Sequence, residues 1–281
     1  MDVERGGGKL EAGCGMLSED TKDRFGGVAR LYGERVLARL VAARVVVVGI
    51  GGVGSWTVEA LARSGVGKIR MVDLDEICVT NVNRQLHAMD GQIGRQKTAA
   101  MAERVRLINP GCELEVIEGF FTERSVEEVL GGEIDGVVDA IDSMQHKALL
   151  LAECRRRGIP VVTCGGAGGK RDATRIIVRD LAFSGKDALL HGLRKKLRKE
   201  HGFPKVEMGQ KPDEMGIAAV FSDEPPIYPG ADGEVSCERP EGADVRLNCA
   251  SGYGTAAHMT GAFGLAAAGA MLDLLEQDLR S

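Results

Sequence analysis

Hydrophobic residues along the first 165 positions fall into two repeating patterns. Short continuous runs rich in Val and Ile are typical of strands buried on both faces of a parallel sheet, and apolar residues at helical spacing separate these runs. The continuous runs predict strands over residues 44–48, 68–73, 113–118, 136–140 and 159–163. The spaced segments predict helices over residues 53–64, 97–107 and 147–157. This alternation predicts an α/β fold with a doubly wound, mostly parallel sheet.

The pattern changes near residue 165. After this position the sequence predicts a strand over 175–178, a basic helical stretch over 184–205, a Gly- and Pro-rich stretch over 209–251 and a closing helix over 255–275. We therefore predict a C-terminal extension with a basic helical insertion over residues 166–281, continuous with the same fold. Residues 1–18 carry charges and three consecutive glycines without an apolar run, so we expect a flexible tail there.

Composition excludes several classes of protein. A formal net charge of −5 gives no general attraction to nucleic acid, so any such contact needs a local basic patch. Aromatic residues make up 4% of the chain, which argues against a surface that stacks bases. The seven cysteines form no C-x-x-C pair, which is typical of reduced thiols in a cytoplasmic protein. The longest apolar stretch, residues 259–272, is too short to span a membrane, so we expect no membrane partner.

A glycine turn of Rossmann-like type lies in the segment VVVVGIGGVGSW, residues 45–56. Its spacing assigns a tight turn to Gly49, close backbone approach to a phosphate to Gly51, and close packing of helix on strand to Gly54. The amide groups at the start of the following helix favour an anion. Asp73, at the end of the second predicted strand, is placed to accept hydrogen bonds from ribose. These residues favour a nucleotide over a turn needed only for packing, and they leave the nucleotide open.

Three polar residues lie behind the carboxyl ends of the predicted strands. Arg84 follows the second strand, Lys97 begins a helix, and Asp142 follows the fourth strand. Taken singly, they are consistent with a surface ion pair, a solvated lysine and a helix N-cap. Together at one sheet edge they favour nucleotidyl transfer from ATP, in which cations stabilise phosphoryl charge and a carboxylate holds Mg²⁺. A nicotinamide oxidoreductase, which requires none of the three, is the alternative from another class.

The motifs resemble those of the ubiquitin-activating-enzyme-like superfamily. The matching segments are RFGGVARLYG (24–33), VVVVGIGGVGSW (45–56), MVDLDEICVTNVNRQLH (71–87), GRQKTAAMAERVRLINP (94–110) and VVDAIDS (137–143). Within that superfamily, the chain is similar to the tRNA threonylcarbamoyladenosine dehydratases. The segments that carry this second similarity are RFGGVARLYG, TCGGAGG (163–169), VFSDEPPIYP (220–229) and NCASGYG (248–254).

The resemblance implies an enzyme of tRNA modification. Such enzymes activate the threonine carboxylate of threonylcarbamoyladenosine with ATP as an acyl-adenylate, and a ring then closes with net loss of water. It implies ATP binding in residues 19–165, tRNA binding and dimerisation in residues 166–281, and a homodimer, and it leaves open a sulfur-relay partner of the cysteine desulfurase type. The implied ATP-site residues are Gly49, Gly51, Gly52, Gly54, Asp73, Asn83, Arg84, Lys97 and Asp142. Of these, Arg84, Lys97 and Asp142 are the catalytic candidates, and Asp142 is the Mg²⁺ ligand.

Two departures from the superfamily pattern matter. Sulfur-carrier-activating relatives hold structural zinc with two C-x-x-C pairs, and this chain has none, so we predict no zinc. In many members an arginine at the position of Gly27 reaches the triphosphate of the ATP bound to the partner subunit. In this chain Arg24 or Arg30 could take the place of that arginine. The alternative function is an adenylyltransferase that activates the C-terminus of a ubiquitin-like sulfur-carrier protein.

Two further features suggest chemistry. Residues 191–205 concentrate positive charge, and Leu189, Leu193 and Leu197 fall at helical spacing on one face. The candidate tRNA-binding residues are Arg194, Lys195, Lys196, Arg198 and Lys199. Among the cysteines, Cys249 is the first candidate for a reactive thiol and Cys164 the second, although an incidental buried thiol is the commoner case.

Overall fold

The computed structural model describes residues 17–206, 209–230, 233–238 and 253–280. A seven-stranded sheet contains β1 (Arg44–Val48), β2 (Lys68–Val72), β3 (Glu113–Ile117), β4 (Gly136–Asp139), β5 (Val161–Cys164), β6 (Ile176–Asp180) and β7 (Ala218–Ser222). The helices are α1 (Glu19–Tyr32), α2 (Glu34–Ala42), α3 (Gly54–Arg63), α4 (Lys97–Ile108), α5 (Val126–Leu130), α6 (Met144–Arg157), α7 (Ala188–Glu200) and α8 (Ala257–Gln277). The short strands β8 (Tyr228–Pro229) and β9 (Val235–Ser236) pair separately.

The strand order of the sheet is β3-β2-β1-β4-β5-β7-β6. The chain adds β2 and β3 on one side of β1 and then crosses to add β4 on the other side, so the order reverses at β1. Both neighbours of β1 are parallel to it, with Val48 opposite Val72 of β2 and Asp139 of β4. Only β6, at the edge, is antiparallel to its neighbour. In open α/β sheets the ligand crevice lies beyond the carboxyl ends of the strands at such a reversal, here between β1 and β4. The predicted fold class is confirmed.

Two hydrophobic layers cover the sheet. On one face Met259, Phe263 and Met271 of α8 pack with β1 and α3, and on the other Leu150 of α6 and Leu193 of α7 are fully buried. By length and composition alone, α8 would be apolar enough to cross a membrane. Its contacts with α3, β4 and β5 make it a core helix of the sheet instead.

Strand β7 was not predicted. It lies within the Gly- and Pro-rich stretch, where a five-residue apolar run gives little periodicity, yet it pairs with β5 on one side and β6 on the other. The sheet therefore continues past residue 165, because Val162 of β5 faces Ala218 of β7. The helices α1 and α2 also went unpredicted, and on α7 the buried leucine of the first turn is Leu190 rather than Leu189.

Candidate active site at the carboxyl edge of the sheet

Gly49 and Gly54 are fixed by backbone packing. Gly49 has a φ of 90°, and its amide donates to the carbonyl of Val72 at 2.9 Å. A Cβ atom on Gly49 would lie 2.8 Å from the carbonyl oxygen of Ala140, and one on Gly54 would lie 1.8 Å from the carbonyl oxygen of Gly49. These glycines let the turn close and let α3 start directly behind β1, as their spacing predicts.

Gly51 and Gly52 are less crowded than the other two glycines of the turn. The space at the Cα of Gly51 is open, and the nearest atom to an added Cβ is Nε2 of Gln85 at 3.9 Å. An added Cβ on Gly52 would meet Cγ2 of Thr260 at 3.2 Å and Cγ of Arg84 at 3.5 Å. The start of α3 has no side-chain cap, although the Ser55 amide donates to the carbonyl of Gly51 at 3.1 Å. A helix start without a side-chain cap is the kind of position where an anion binds.

The peptide groups of Ile50 are held from both sides. Oδ2 of Asp73 accepts the Ile50 amide at 2.6 Å, and Nε2 of His87 lies 2.8 Å from the Ile50 carbonyl oxygen. Burial lowers the pKa of His87 below its ordinary value, although the contact with the Ile50 carbonyl acts in the opposite direction. Asp73 thus stabilises the turn, in addition to lying at the end of β2 where ribose contact was predicted. His87 was not predicted, because a single histidine in an aperiodic segment gives no signal of burial.

Lys97 begins α4, and its ammonium group lies beside two carboxylates that follow β2. Its Nζ lies 2.7 Å from Oδ2 of Asp75 and 3.8 Å from Oδ1 of Asp73. The Lys97 side chain is 7% exposed, whereas Asp75 is 58% exposed. The backbone amide of Lys97 also donates to the carbonyl of Asp75, which fixes the lysine next to its counterion.

Arg84 and Asn83 lie in the loop between β2 and α4. Nη1 of Arg84 donates to the carbonyl of Thr80 at 2.7 Å and to Oδ1 of Asn83 at 3.1 Å. Nδ2 of Asn83 donates to the carbonyl of Thr255 at 2.9 Å. Within the described part of the chain, the bonds to Thr80 and Asn83 are the only hydrogen bonds of the Arg84 guanidinium. Because a guanidinium carries five N–H donors, most of its capacity is left for a ligand.

Asp142 is an exposed carboxylate in the loop after β4. Behind it lies an ion pair that was not predicted, between Asp139 and Nζ of Lys147 at 2.7 Å, with both side chains 0% exposed. Oγ1 of Thr163 donates to the same Asp139 oxygen at 2.7 Å, and the other oxygen accepts the amide of Ile141 at 3.1 Å. Asp139 therefore fixes the turn that presents Asp142.

The site fits Mg²⁺ only together with phosphate. Within the described ranges, no group of three or more His, Cys, Asp or Glu side chains could hold a metal ion. Mg²⁺ that travels with a nucleotide needs one or two carboxylates, because phosphate oxygens and water complete its coordination. The exposed carboxylate of Asp142 meets that requirement.

Arg24 and Arg30 do not lie at the crevice of their own chain. Nε of Arg24 contacts Asp20 at 2.9 Å, and Nη1 lies 3.5 Å from the carbonyl of Ile108. Ile108 is the last residue of α4 and Lys97 is the first, and the two are about 16 Å apart along the axis of that helix. Arg24 therefore lies at the end of α4 that is far from Lys97. The guanidinium of Arg30 folds back along α1 toward Gly26. Contact with a partner subunit's ATP stays a prediction for both arginines.

The two candidate thiols have different outcomes. Cys164 is buried at the end of β5, and burial raises its pKa to about 12. A thiol that is almost fully protonated at neutral pH is a poor nucleophile, so the structure argues against Cys164 as a covalent catalyst. Cys249 lies outside the described residues.

The five cations predicted to bind tRNA lie on α7 and divide into two groups. Arg194 donates to Oγ of Ser184, Nε of Arg198 donates to the carbonyl of Pro204 at 3.0 Å, and Lys196 pairs with Glu200 at 2.6 Å. Lys195 and Lys199, one helical turn apart, are exposed. Leu190, Leu193 and Leu197 of α7 are buried, and these two lysines face solvent.

Fold and site together define the class of protein. The ThiF family model matches residues 27–279, and the chain belongs to that family. The chain is 46% identical to the tRNA threonylcarbamoyladenosine dehydratase of Escherichia coli (strain K12) over 254 residues, which are 90% of this chain and 93% of that relative. It is 42% identical to the enzyme of the same name from Bacillus subtilis (strain 168) over 195 residues, 69% of this chain and 72% of that one.

A solved structure supports the same assignment. The crystal structure of the E. coli dehydratase TcdA in complex with ATP is 41% identical, with a TM-score of 0.82, and the match covers 95% of this chain and 99% of that one. A complex of the same enzyme with AMP matches with a TM-score of 0.81. The chain is thus a ThiF-family member of the dehydratase type, and the resemblance predicted from its motifs is confirmed.

Proposed function

We propose that this protein is an ATP-dependent tRNA threonylcarbamoyladenosine dehydratase that works through an acyl-adenylate. The proposal is carried by the contacts around the glycine turn beyond β1. Asp73 accepts the Ile50 amide of the turn and lies 3.8 Å from Nζ of Lys97, and the stem of Arg84 lies 3.5 Å from a Cβ placed on Gly52. The relative that matches 90% of the chain is named a tRNA threonylcarbamoyladenosine dehydratase, which supports the modified tRNA as substrate. The ATP and AMP complexes of TcdA support ATP as the nucleotide.

In this proposal ATP lies across the glycine turn. The amides at Gly51 and Gly52 contact phosphate, as expected for a helix N-terminus. Asp73 accepts hydrogen bonds from ribose with the lone pairs that the Ile50 and Asp75 amides leave free. Asn83, Arg84 and Lys97 contact the triphosphate, and Lys97 exchanges part of its contact with exposed Asp75 for phosphate oxygens.

The first step joins the substrate to AMP. A threonine carboxylate oxygen attacks the α-phosphorus, the bond from that phosphorus to the bridging oxygen of the β-phosphate breaks, and pyrophosphate leaves. Arg84 and Lys97 stabilise the charge that develops on the phosphoryl oxygens, an effect that is typically worth 10²–10³-fold in rate for each donor, about 2.7–4 kcal/mol. Asp142 would hold Mg²⁺, which neutralises phosphate charge when it is bound.

The second step closes the ring. The neighbouring carbamoyl group attacks the activated carbonyl carbon, AMP leaves with the former carboxylate oxygen, and a proton is released. Since the nucleophile is tethered to the acyl group, proximity supplies much of the rate and no enzyme nucleophile is needed. The burial of Cys164 is consistent with this route.

The partners are part of the proposal. Lys195 and Lys199 contact tRNA phosphates, because the other three cations of α7 are already engaged. A homodimer would cover Val79 and Val82, exposed apolar side chains in the loop that carries Arg84. The cysteine desulfurase partner, the absence of zinc and the cytoplasmic location stay predictions from the sequence.

Pyrophosphate exchange into ATP tests this function against sulfur-carrier activation. The protein and magnesium are incubated with labelled pyrophosphate, in one arm with tRNA carrying threonylcarbamoyladenosine and in the other with a ubiquitin-like carrier protein. We expect exchange only with the modified tRNA, and unmodified tRNA is the control. Exchange only with the carrier protein would contradict the proposal.

A further inference from the structure

One backbone carbonyl at the site accepts hydrogen bonds from two distant helices. The carbonyl oxygen of Arg84 is 3.2 Å from Nε1 of Trp56 on α3 and 3.0 Å from Oγ1 of Thr260 on α8. Thr260 is 3% exposed and stands 176 residues from Arg84 in the chain. Since a carbonyl oxygen has two lone pairs, both are used, and the main chain at Arg84 is held from two directions.

The same threonine also contacts the glycine turn. Its Cγ2 would lie 3.2 Å from a Cβ placed on Gly52, and Cγ of Arg84 would lie 3.5 Å from the same point. Gly52, the stem of Arg84 and the side chain of Thr260 therefore meet at one place. The missing side chain of Gly52 allows the arginine stem to lie against the turn.

Small residues on α8 bring Thr260 to this position. A Cβ on Gly264 would lie 2.5 Å from the carbonyl oxygen of Val53, and one on Gly261 would lie 3.4 Å from Cδ2 of Trp56. A larger residue at position 264 would push α8 away from α3. The glycines thus set the depth at which the Thr260 hydroxyl reaches the Arg84 carbonyl.

The segment leading into α8 connects two loops of the crevice. Asn83 donates to the carbonyl of Thr255, the amide of Gly169 donates to the carbonyl of Gly254 at 2.8 Å, and Nε2 of His258 lies 3.0 Å from the carbonyl oxygen of Arg171. The start of α8 is therefore fixed to the Arg84 loop and to the glycine-rich loop after β5.

We propose that Thr260 is a positioning residue for adenylation. Together with Trp56 it fixes the main chain of Arg84 over the glycine turn, so that the guanidinium is already directed at the triphosphate before ATP binds. This inference rests on the proposed function, because it assigns Arg84 to the triphosphate. Preorganisation of this kind reduces the ordering that binding and catalysis require.

Two substitutions at one position test the role of the hydroxyl. Thr260→Val keeps the methyl contact with Gly52 and removes the hydroxyl, whereas Thr260→Ser keeps the hydroxyl and removes the methyl group. ATP affinity is measured by calorimetry, and turnover by AMP formation with modified tRNA. We expect Thr260→Val to weaken ATP binding by about tenfold and to lower kcat, in line with one lost hydrogen bond at a preorganised group. Thr260→Ser should stay within about threefold of the native chain.

A double-mutant cycle separates positioning from general stability. In an Arg84→Ala background the carbonyl remains but the guanidinium is gone, so Thr260→Val should cause no further loss of ATP affinity. An equal loss in both backgrounds would overturn the inference. Trp56→Phe removes the other donor, keeps an aromatic ring against Gly261, and should weaken ATP binding in the same direction as Thr260→Val.

The outcomes also separate this inference from the proposed function. A native chain that binds ATP and a Thr260→Val variant that binds and turns over equally well would overturn the positioning role and leave the function standing. A native chain that binds no ATP at saturating magnesium would overturn the function itself. Both Thr260 variants should remain folded under the assay conditions, with unfolding midpoints slightly below that of the native chain, because each loses one buried hydrogen bond or one buried methyl group.

Discussion

Two lysines at the carboxyl edge of the sheet form the same kind of ion pair in different surroundings. Lys147 and Asp139 lie 2.7 Å apart with both side chains 0% exposed. Lys97 and Asp75 also lie 2.7 Å apart, but Asp75 is 58% exposed. The Asp139 carboxylate is further occupied by Thr163, so the inner pair forms a closed unit. The outer pair has an exposed partner.

The difference separates groups that hold the fold from groups that are free for a ligand. A lysine whose counterion is sealed in the core cannot be released without leaving an unpaired charge. A lysine at the rim can replace its carboxylate with phosphate at little cost. In the turn, Gly49 and Gly54 are closed in by backbone atoms, whereas the space at Gly51 is open. On α7, three cations have partners within the protein, whereas Lys195 and Lys199 are exposed.

Lys147→Met should give the largest change. It leaves Asp139 buried without its cation, which typically costs about 3–5 kcal/mol of the free energy of unfolding. Urea denaturation measures this change, and Lys97→Met is the matched comparison, with a smaller expected loss because its nearer counterion, Asp75, is 58% exposed. A Lys147→Met protein as stable as the native chain would remove the distinction between the two pairs.

Lys97→Met should instead affect chemistry. Loss of a cation that stabilises the phosphoryl charge should lower pyrophosphate exchange by about 10²–10³-fold. The assay is exchange with modified tRNA at saturating ATP, and unfolding midpoints establish that the variant is folded. Exchange within threefold of the native rate, roughly 0.7 kcal/mol in barrier height, would exclude Lys97 from the reaction.

The glycine turn offers the same contrast at smaller scale. Gly51→Ala should fold normally, because an added Cβ meets nothing closer than 3.9 Å, but the methyl group should weaken ATP binding by about tenfold, or 1.4 kcal/mol. Gly54→Ala should lose stability, because its Cβ would lie 1.8 Å from a backbone oxygen. Calorimetry with ATP and denaturant unfolding on both variants give the comparison. Native affinity in Gly51→Ala would mean that phosphate does not approach this glycine.

The two exposed lysines of α7 give the smallest expected effect. Replacing Lys195 and Lys199 by Ser should reduce the slope of log affinity for tRNA against log salt by about 2, one for each lost phosphate contact. Affinity is measured over a series of KCl concentrations, and Lys22→Ser, an exposed lysine on α1, is the control. An unchanged slope would show that tRNA lies elsewhere.

The local parts of the fold and of the site could be predicted from the sequence. The run Val45–Val48 and the four glycines after it determine strand, turn and helix start within a few residues, and the predictions of β1 to β5 are confirmed. The positions of Arg84, Lys97 and Asp142 at one edge followed from the rule that parallel strands end together. Their assigned roles stay predictions.

The remainder depends on packing between distant segments. The Asp139–Lys147 pair forms only when α6 packs on β4, and a lysine at a helix start gives no sign of being sealed. Thr260 reaches Arg84 across 176 residues, through glycines whose purpose is visible only once α8 lies on α3. Such contacts follow from the tertiary arrangement, and a single sequence carries no local pattern for them.

Transfer of an oxygen atom tests the acyl-adenylate directly. Modified tRNA whose threonine carboxylate carries the heavy oxygen isotope is incubated with ATP, magnesium and the protein, and the released nucleotide is analysed by mass spectrometry. We predict that AMP carries one heavy oxygen, because the carboxylate oxygen that bonds to the α-phosphorus leaves with it, and that the product nucleoside has lost one water. Unlabelled AMP, or label in inorganic phosphate, would contradict activation of the carboxylate as an acyl-adenylate.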